Sequence, residues 1–245
     1  MTSDSNFATP ADRFPQTSWS AIRAAAGADH QERERALSTL IAAYWKPVYK
    51  HIRLKWNKSA DDASDLTQSF FVAVMERNFF RSFDPERARF RTFLRACLDR
   101  FIANQEKAAR RIKRGGDAQF LSLDFAIAEE ELALSMASAE TPDERFEKEW
   151  ARSLFALALD SLRDHLESEG KQIHFQLFER YYLDDEETSY AMLGSRFGLS
   201  STQVTNYLAS ARREFRRLLL DHLRALTSSD EEFRREARSL LGESL

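Results

Sequence analysis

Cysteine, glycine and proline are all scarce in this chain of 245 residues, which contains one Cys, seven Gly and five Pro. The single cysteine, Cys97, excludes an internal disulfide and a zinc site built on several cysteines. This usage is typical of a reducing compartment, so we expect a cytoplasmic protein. Few Gly and Pro residues leave few turn signals, which favours helices over a strand-rich fold.

Long apolar runs and catalytic motifs are also missing. No stretch approaches the roughly 20 apolar residues that a membrane span needs, and residues 1–30 lack the pattern of a secretory signal. The five histidines are scattered without metal-site spacing, and no Walker loop, dinucleotide fingerprint or Ser-His-Asp order is present. We therefore expect a protein that binds rather than catalyses, with no cofactor, no metal and no membrane partner.

Charge is distributed unevenly along the chain. The formal net charge is −3, yet residues 124–149 alone hold nine acidic residues against two basic ones, Arg145 and Lys148. The rest of the chain is therefore mildly basic, and its cations are clustered. Clustered cations beside one acidic segment indicate a protein that binds nucleic acid through part of its surface.

Apolar residues recur at helical spacing through most of the chain, so we predict an all-α fold of two helical domains joined by an acidic linker. The predicted parts are an N-terminal extension (1–30), a first helical domain (31–116), the acidic linker (117–145), a helix-turn-helix domain (146–225) and a C-terminal helical extension (226–245). Predicted helices cover residues 31–54, 59–78, 87–113, 128–136, 146–166, 173–182, 190–197, 202–223 and 230–241. Pro47 is expected to kink or divide the first of these helices.

Residues 189–217 carry the most specific motif. Gly194 is a small residue at a position where two helices must cross closely, and Gly198 suits a turn that needs a positive φ. Ser200 or Ser201 can then cap the following helix. We predict a DNA-binding helix-turn-helix here, although the same spacing also fits a plain helical hairpin with a solvated basic face.

The second helix of this motif offers side chains for both parts of a DNA duplex. Short polar groups near its N-terminus are expected to meet base edges in the major groove. These are Ser201, Thr202, Gln203, Thr205, Asn206 and Ser210. Arginines towards its far end suit phosphates. These are Arg212, Arg213, Arg216 and Arg217.

A second basic element lies at the end of the helix predicted over residues 87–113. Its cations are Lys107, Arg110, Arg111, Lys113 and Arg114. Cations at a helix C-terminus complement the helix dipole. Five of them within eight positions repel one another unless a polyanion is near, which points to nucleic acid.

Three motifs in order resemble the extracytoplasmic-function group of bacterial RNA polymerase sigma factors. The stretch DASDLTQSF at 62–70 is similar to that family's DAEDLVQETF, and FRTFL at 90–94 is similar to its FRTWL, which a basic helix follows. The helix-turn-helix comes third, as in the family. The resemblance covers roughly residues 35–114 and 150–220, and makes 31–116 the counterpart of sigma region 2 and 146–225 that of region 4.

The resemblance implies a sigma factor that binds core RNA polymerase and directs it to promoters. The −10 promoter element would be read and melted by the first domain, and the −35 element would be read by the helix-turn-helix. Residues implied to dock on the clamp helices of the largest polymerase subunit are Asp62, Asp65, Leu66, Gln68, Ser69 and Val72. Arg100, Asn104 and Lys107 are candidates for the melted single strand, alongside the basic residues that follow them.

Some features depart from the family pattern. Where the family commonly has Asn six residues after its FRTWL leucine, this chain has Arg100, and Asn104 comes later. The acidic linker is long, and one hypothesis is that it enters the basic RNA-exit channel of the polymerase as a nucleic-acid mimic. The N-terminal segment with Trp19 and the helix over 230–241 are additions, which either bind a regulator such as an anti-sigma protein or provide extra packing.

Two other functions fit parts of the sequence. A stand-alone two-domain transcriptional regulator would keep the helix-turn-helix and bind a duplex site without polymerase. A magnesium-dependent helical isoprenoid synthase would use Asp61, Asp62 and Asp65 as a DDxxD-like cluster, with residues 184–187 as the second acidic cluster. Acidic residues at the start of a helix are, however, expected as caps.

Overall fold

The computed structural model describes residues 30–76, 79–109, 123–135, 140–184 and 188–242, and within them all regular structure is helical. The α-helices are α1 (His30–Lys55), α2 (Ala60–Glu76), α3 (Phe90–Ala109), α4 (Phe125–Ser135), α5 (Pro142–Ser168), α6 (Gln172–Tyr182), α7 (Tyr190–Phe197), α8 (Ser201–Ala225) and α9 (Asp230–Leu241), and a 3-10 helix covers Phe79–Ser82. The all-α class predicted from the sequence is confirmed. None of the described helices is long and apolar enough to cross a membrane. Predictions about residues 1–29 lie outside the described residues.

Helix α1 lies at the centre of the fold and runs unbroken through Pro47. The division expected at this proline is therefore wrong. Pro47 is buried, and its neighbours Val48 and Tyr49 are fully buried in the main core. Burial of the proline and of the residues that follow it compensates for the backbone hydrogen bond that proline cannot donate.

The segment predicted as an acidic linker contains ordered helices. Helix α4 rests on α1 through Phe125, whose ring meets those of Trp45 and Tyr49 at centroid distances of 5.7 and 5.0 Å, and through buried Ala128 and Leu132. Helix α5 begins at Pro142, inside the predicted linker. Its N-terminus is fixed by a capping box in which Thr141 and Glu144 exchange hydrogen bonds. Composition suggested a solvated spacer, but these local contacts give the segment defined structure.

One hydrophobic cluster extends across the predicted domain boundary. It joins α1, α2 and α3 to Phe146, Trp150 and Leu154 of α5, and to Leu219 and Leu223 near the end of α8. Helix α5 packs along α1 and also against α8. The predicted two-domain arrangement is therefore not confirmed, because α5 contributes to a core on each side of the boundary. A smaller cluster beneath α7 and α8 contains Leu177, Leu193, Val204 and Leu208.

Arg91, at the start of α3, ties three helices together. Its buried guanidinium donates hydrogen bonds to Glu147 of α5 and to Glu236 of α9, the latter at 2.8 Å. The guanidinium carbon lies 4.2 Å from the ring centroid of Trp150. Burial alone would lower the pKa of Arg91, but the two carboxylates outweigh it and raise that pKa.

A second buried carboxylate attaches the C-terminal helix α9 to the start of α3. Glu232 accepts hydrogen bonds from the backbone N–H and the hydroxyl of Ser228, at 2.8 and 2.6 Å. Its other oxygen accepts from the backbone N–H of Phe90 at 3.3 Å. The C-terminal extension is therefore an integral layer of the fold that caps the beginning of α3.

Replacement of Arg91 by methionine should lower the free energy of unfolding by about 3–5 kcal/mol, because buried Glu236 would keep only the more exposed Arg89 of its two described cationic partners. Urea unfolding followed by circular dichroism measures the change. Arg87→Met is the matched control, since Arg87 is 85% exposed and, within the described residues, pairs with nearby Asp84, so its loss should cost less than about 1 kcal/mol. Equal effects of the two substitutions would contradict the role assigned to Arg91.

Candidate nucleic-acid interface

Helices α7 and α8 are joined by a short turn, and the start of each helix is capped by a serine. The hydroxyl of Ser189 accepts from the N–H of Met192 at the start of α7. Helix α7 ends at Gly198, whose φ of +66° is in the left-handed region that glycine adopts at little cost. Ser200 and Gln203 form a capping box that opens α8. The turn predicted at Gly198 is therefore confirmed.

Gly194 brings the turn against α7. A Cβ atom at this position would lie 2.7 Å from the backbone carbonyl oxygen of Leu199, closer than real contacts allow. The carbonyl of Gly194 also accepts a hydrogen bond from the N–H of Leu199 at 2.8 Å. Because no side chain intervenes, the turn packs directly on the helix and fixes the direction in which α8 leaves it.

One face of α8 is polar and exposed. Val204, Leu208 and Ala211 are buried on the inner face. The outer face repeats at intervals of three and four residues, as one side of a helix does. Its exposed members are Thr202, Thr205, Asn206, Arg212 and Arg213, called here the α8 polar stripe. The stripe begins with short uncharged groups in the first two turns and ends with two guanidinium groups.

Most of the other residues predicted for this surface are less available for contact with DNA. Gln203 is exposed, but its Oε1 accepts from the N–H and hydroxyl of Ser200 at 2.9 and 3.0 Å, so this oxygen serves the cap. Ser201 is exposed, whereas Ser210 and Arg216 are half-buried. Arg217 lies between Glu214 and Asp221, at 2.5 and 2.7 Å, which offset its charge locally.

The basic element predicted at the end of α3 is described only in part. Arg100, Asn104 and Lys107 are exposed, and their spacing of four and three residues places them along one side of α3. The opposite side carries buried Leu98 and Ile102. Arg110, Arg111, Lys113 and Arg114 lie outside the described residues.

The residues implied to dock on polymerase belong to α2. Asp62 and Asp65 are exposed on one side of this helix, and Leu66, Ser69 and Val72 on the same side are half-buried. The prediction that Gln68 belongs to this exposed side is corrected, because the residue is only 8% exposed. It lies about 60° around the helix from Asp65, towards the side that packs on the core. The Gln68 side chain is therefore not available on the exposed side of α2 that carries Asp62 and Asp65.

An exposed aromatic patch was missed by the sequence reasoning. It comprises Tyr181, Tyr182 and Leu183 at the end of α6 and Met192 of α7, which is 59% exposed. The hydroxyl of Tyr182 accepts a 3.3 Å hydrogen bond from Arg212, so the patch adjoins the α8 polar stripe. Tyr181 and Tyr182 lie at the end of the helix predicted over residues 173–182, and their exposure follows from the position of that helix end.

The acidic clusters considered for magnesium do not assemble among the described residues. No group of three or more His, Cys, Asp or Glu side chains that could hold a metal ion is found there. Asp61 and Asp62 lie exposed in the first turn of α2, where Ser59 caps the N–H of Asp62. Asp184 pairs with Arg180 at 2.5 Å, and residues 185–187 are outside the described parts. The capping interpretation of the first cluster accounts for its geometry.

Comparisons with known proteins return no relative. No protein-family model matches the chain, and no curated protein or solved structure matches it either. The resemblance to sigma factors is therefore carried by the three sequence motifs alone.

Gly194→Ala should destabilise the protein by about 1–3 kcal/mol, as overpacking does. This direction is opposite to that of an unconstrained helical position, where alanine is favoured over glycine by about 1 kcal/mol. Thermal unfolding of the two proteins measures the difference. Gly198→Ala is the companion variant, because nothing lies near its added Cβ and only the positive φ is strained. A Gly194→Ala protein as stable as the wild type would show that the turn does not depend on this close approach.

Proposed function

We propose that the chain is a sigma-like initiation factor that binds core RNA polymerase and reads promoter DNA through two separate surfaces. The observation that carries the proposal is the α8 polar stripe, at the beginning of a helix whose direction is fixed by the tight turn after α7. A helix supported in this way is the reading element of helix-turn-helix proteins, whose N-terminal residues contact base edges. We therefore assign α7 and α8 as the helix-turn-helix that reads the upstream promoter element.

The chemistry of the α8 polar stripe suits a major groove. An asparagine such as Asn206 can bind the N6 and N7 edge of adenine with two hydrogen bonds, and a threonine can contact a thymine methyl group with its own methyl. Arg212 and Arg213 follow about two turns later, at a distance suited to the phosphates that border the groove. The order of groups along the helix, uncharged first and cationic later, fits insertion by its N-terminal end.

The surfaces on α2 and α3 complete the proposed function. Exposed Asp62 and Asp65 present carboxylates beside half-buried apolar groups, a mixture suited to a protein partner. Arg100, Asn104 and Lys107 present cations and an amide, which suit a melted strand. In this proposal α2 contacts polymerase, and α3 contacts the downstream promoter element.

The stand-alone regulator is a second candidate, and the continuous core favours it. Helix α5 packs on both α1 and α8, so the surfaces of α3 and α8 belong to one packed unit. A regulator that binds one short duplex site needs no change in that packing. A sigma-like factor that contacts two separated promoter elements needs the two surfaces to move apart on polymerase.

The decisive experiment tests whether the full chain joins core RNA polymerase from its own source and opens a promoter. The sigma-like function predicts co-purification with core polymerase and permanganate-reactive thymines on a cognate promoter only when both are present. Asp62→Lys together with Asp65→Lys should reduce co-purification, while Asp164→Lys with Glu167→Lys, both exposed on α5, should not. Duplex binding without any polymerase association would favour the stand-alone regulator, and the absence of both would overturn the proposal.

Substitutions in the two parts of the α8 polar stripe should have different effects on DNA binding. Asn206→Ala should cost about 1–3 kcal/mol on the preferred upstream sequence and little on other sequences, because it removes base contacts. Arg212→Gln with Arg213→Gln should weaken binding to all sequences and lower the salt dependence by about 0.9 per lost cation in the log–log plot. Arg234→Gln with Arg235→Gln on α9 is the charge-matched control, since both arginines are exposed on another helix. Binding titrations of the holoenzyme at several salt concentrations give both quantities.

A further inference from the structure

Three cations lie along one side of α1, and all of them face α4. Lys46, Lys50 and Arg53 are separated by four and three residues, so they form a row on one side of the helix, called here the α1 basic stripe. The row is about 10 Å long. Such a row of like charges is unfavourable unless an anion lies against it. In this structure the anions are two carboxylates of α4 and, for Lys50, also Glu149 of α5 at 2.6 Å.

Two carboxylates of α4 cover the stripe. Glu131 accepts from Lys46 at 2.6 Å and from Lys50 at 2.8 Å. Glu129 receives the Nε and Nη2 groups of Arg53 at 2.5 and 2.9 Å, in a two-pronged geometry like that of arginine with phosphate. These hydrogen bonds from Arg53 lower the pKa of Glu129, and Glu129 in turn raises the pKa of Arg53. Both carboxylates are therefore held in the charged form that a phosphate would imitate.

Further cations extend the stripe onto α5. An open cleft of about 830 Å³ lies between α1, α4 and α5 and is lined by Lys46, Lys50, Arg145, Lys148 and Arg152, with Glu131, Glu140, Glu149 and Asp160 as the carboxylates. Glu131 is the only one of these carboxylates on α4. The hydroxyl oxygen of Ser153, a cleft residue, is buried and has no hydrogen-bond partner in the described part of the chain. Removal of α4 would leave a cationic groove formed by two helices.

Helix α4 contributes one buried residue, Ala128, and the half-buried Phe125 to the main core. It packs chiefly on α1, through one aromatic ring and the buried residues Ala128 and Leu132. It contains no Lys or Arg, and two of its three glutamates, Glu129 and Glu131, pair with cations of α1. Its attachment therefore depends to a large extent on the cations of α1. A polyanion that binds the same cations would compete with α4 for them.

We propose that the α1 basic stripe is a binding site for the phosphate backbone of nucleic acid, and that α4 occupies it as an internal competitor. A 10 Å length of duplex DNA carries about six phosphates, against the two carboxylates that α4 provides. Binding of DNA along the stripe and the cleft displaces α4 and exposes the groove. This site is separate from the α8 polar stripe and from the exposed side of α3, so it does not depend on the function proposed for them.

Neutral glutamines at the two covering positions should strengthen DNA binding. Glu129→Gln with Glu131→Gln should raise affinity for a short duplex without promoter sequence by at least about tenfold, because the charge-assisted contacts of both carboxylates with α1 are weakened. Fluorescence anisotropy of a labelled duplex measures this with the full chain and no polymerase. The control is Glu130→Gln with Asp164→Asn, which makes the same change in net charge at exposed positions. An equal gain in the control would mean that net charge alone is responsible, and would overturn the proposal.

The gain in DNA affinity should also require the cations of the α1 basic stripe. Lys46→Gln with Arg53→Gln, added to the two glutamine substitutions, should abolish the gain and reduce the slope of log affinity against log salt by about 0.9 per cation. Buried Lys50 is left in place, with its partner Glu149, to preserve the fold. A slope that does not change would show that DNA binds elsewhere.

Hydrogen exchange of the unmodified chain provides a test that needs no variant. With saturating duplex, the amides of α4 should exchange faster, because the helix is displaced, while those of α6 should be unaffected. Unchanged or slower exchange in α4 would overturn the proposal even if DNA binds. Such a result would not bear on the proposed promoter function, because that function is tested separately by polymerase association and promoter opening.

Discussion

The packing of α5 along α1 is the constraint on which the other parts of the fold depend. These two long helices supply the centre of the main core, which contains Val48 and Ile52 of α1 together with Phe146 and Leu154 of α5. Helix α2 rests on α1, while α8 rests on α5. The surfaces of α2, α3 and α8 are therefore presented by a shared support, and a change in the α1–α5 contact would alter the relation between all of them.

Charge is sorted by burial in this protein. Buried carboxylates and cations meet at Arg91 and Lys50, where each ion has a partner of opposite sign within hydrogen-bonding distance. Exposed cations with polar neighbours are found on α8 and α3. The α1 basic stripe is intermediate, since it is covered by a helix that carries only negative charge. The net charge of −3 therefore says little about what each surface attracts.

Helical periodicity allowed most of the fold to be predicted, whereas contacts between distant residues could not be read from it. The spacing of apolar residues predicted the helices, and the Gly194–Gly198 turn followed from local backbone requirements. The burial of Gln68 depends on which side of α2 meets the core, and the docking of α4 depends on Arg53 and Glu129, which are 76 residues apart. Acidic composition suggested solvent exposure for α4, but its partners were on another helix. The exposed row on α8 was predicted because its inward neighbours are strictly apolar.

The attachment of α9 to the start of α3 has a consequence for biosynthesis. Arg91 and Glu236 are 145 residues apart, and the backbone of Phe90 and the carboxylate of Glu232 are 142 apart. Contacts of such high sequence separation form late, because a long stretch of chain must be closed to make them. During synthesis from the N-terminus, Arg91 and its partner Glu147 emerge well before Glu236, the second partner of Arg91. Completion of the protein's core therefore waits for the last helix, and a chain truncated before residue 236 would leave Arg91 with Glu147 as its carboxylate partner in the described chain, where the finished protein has two.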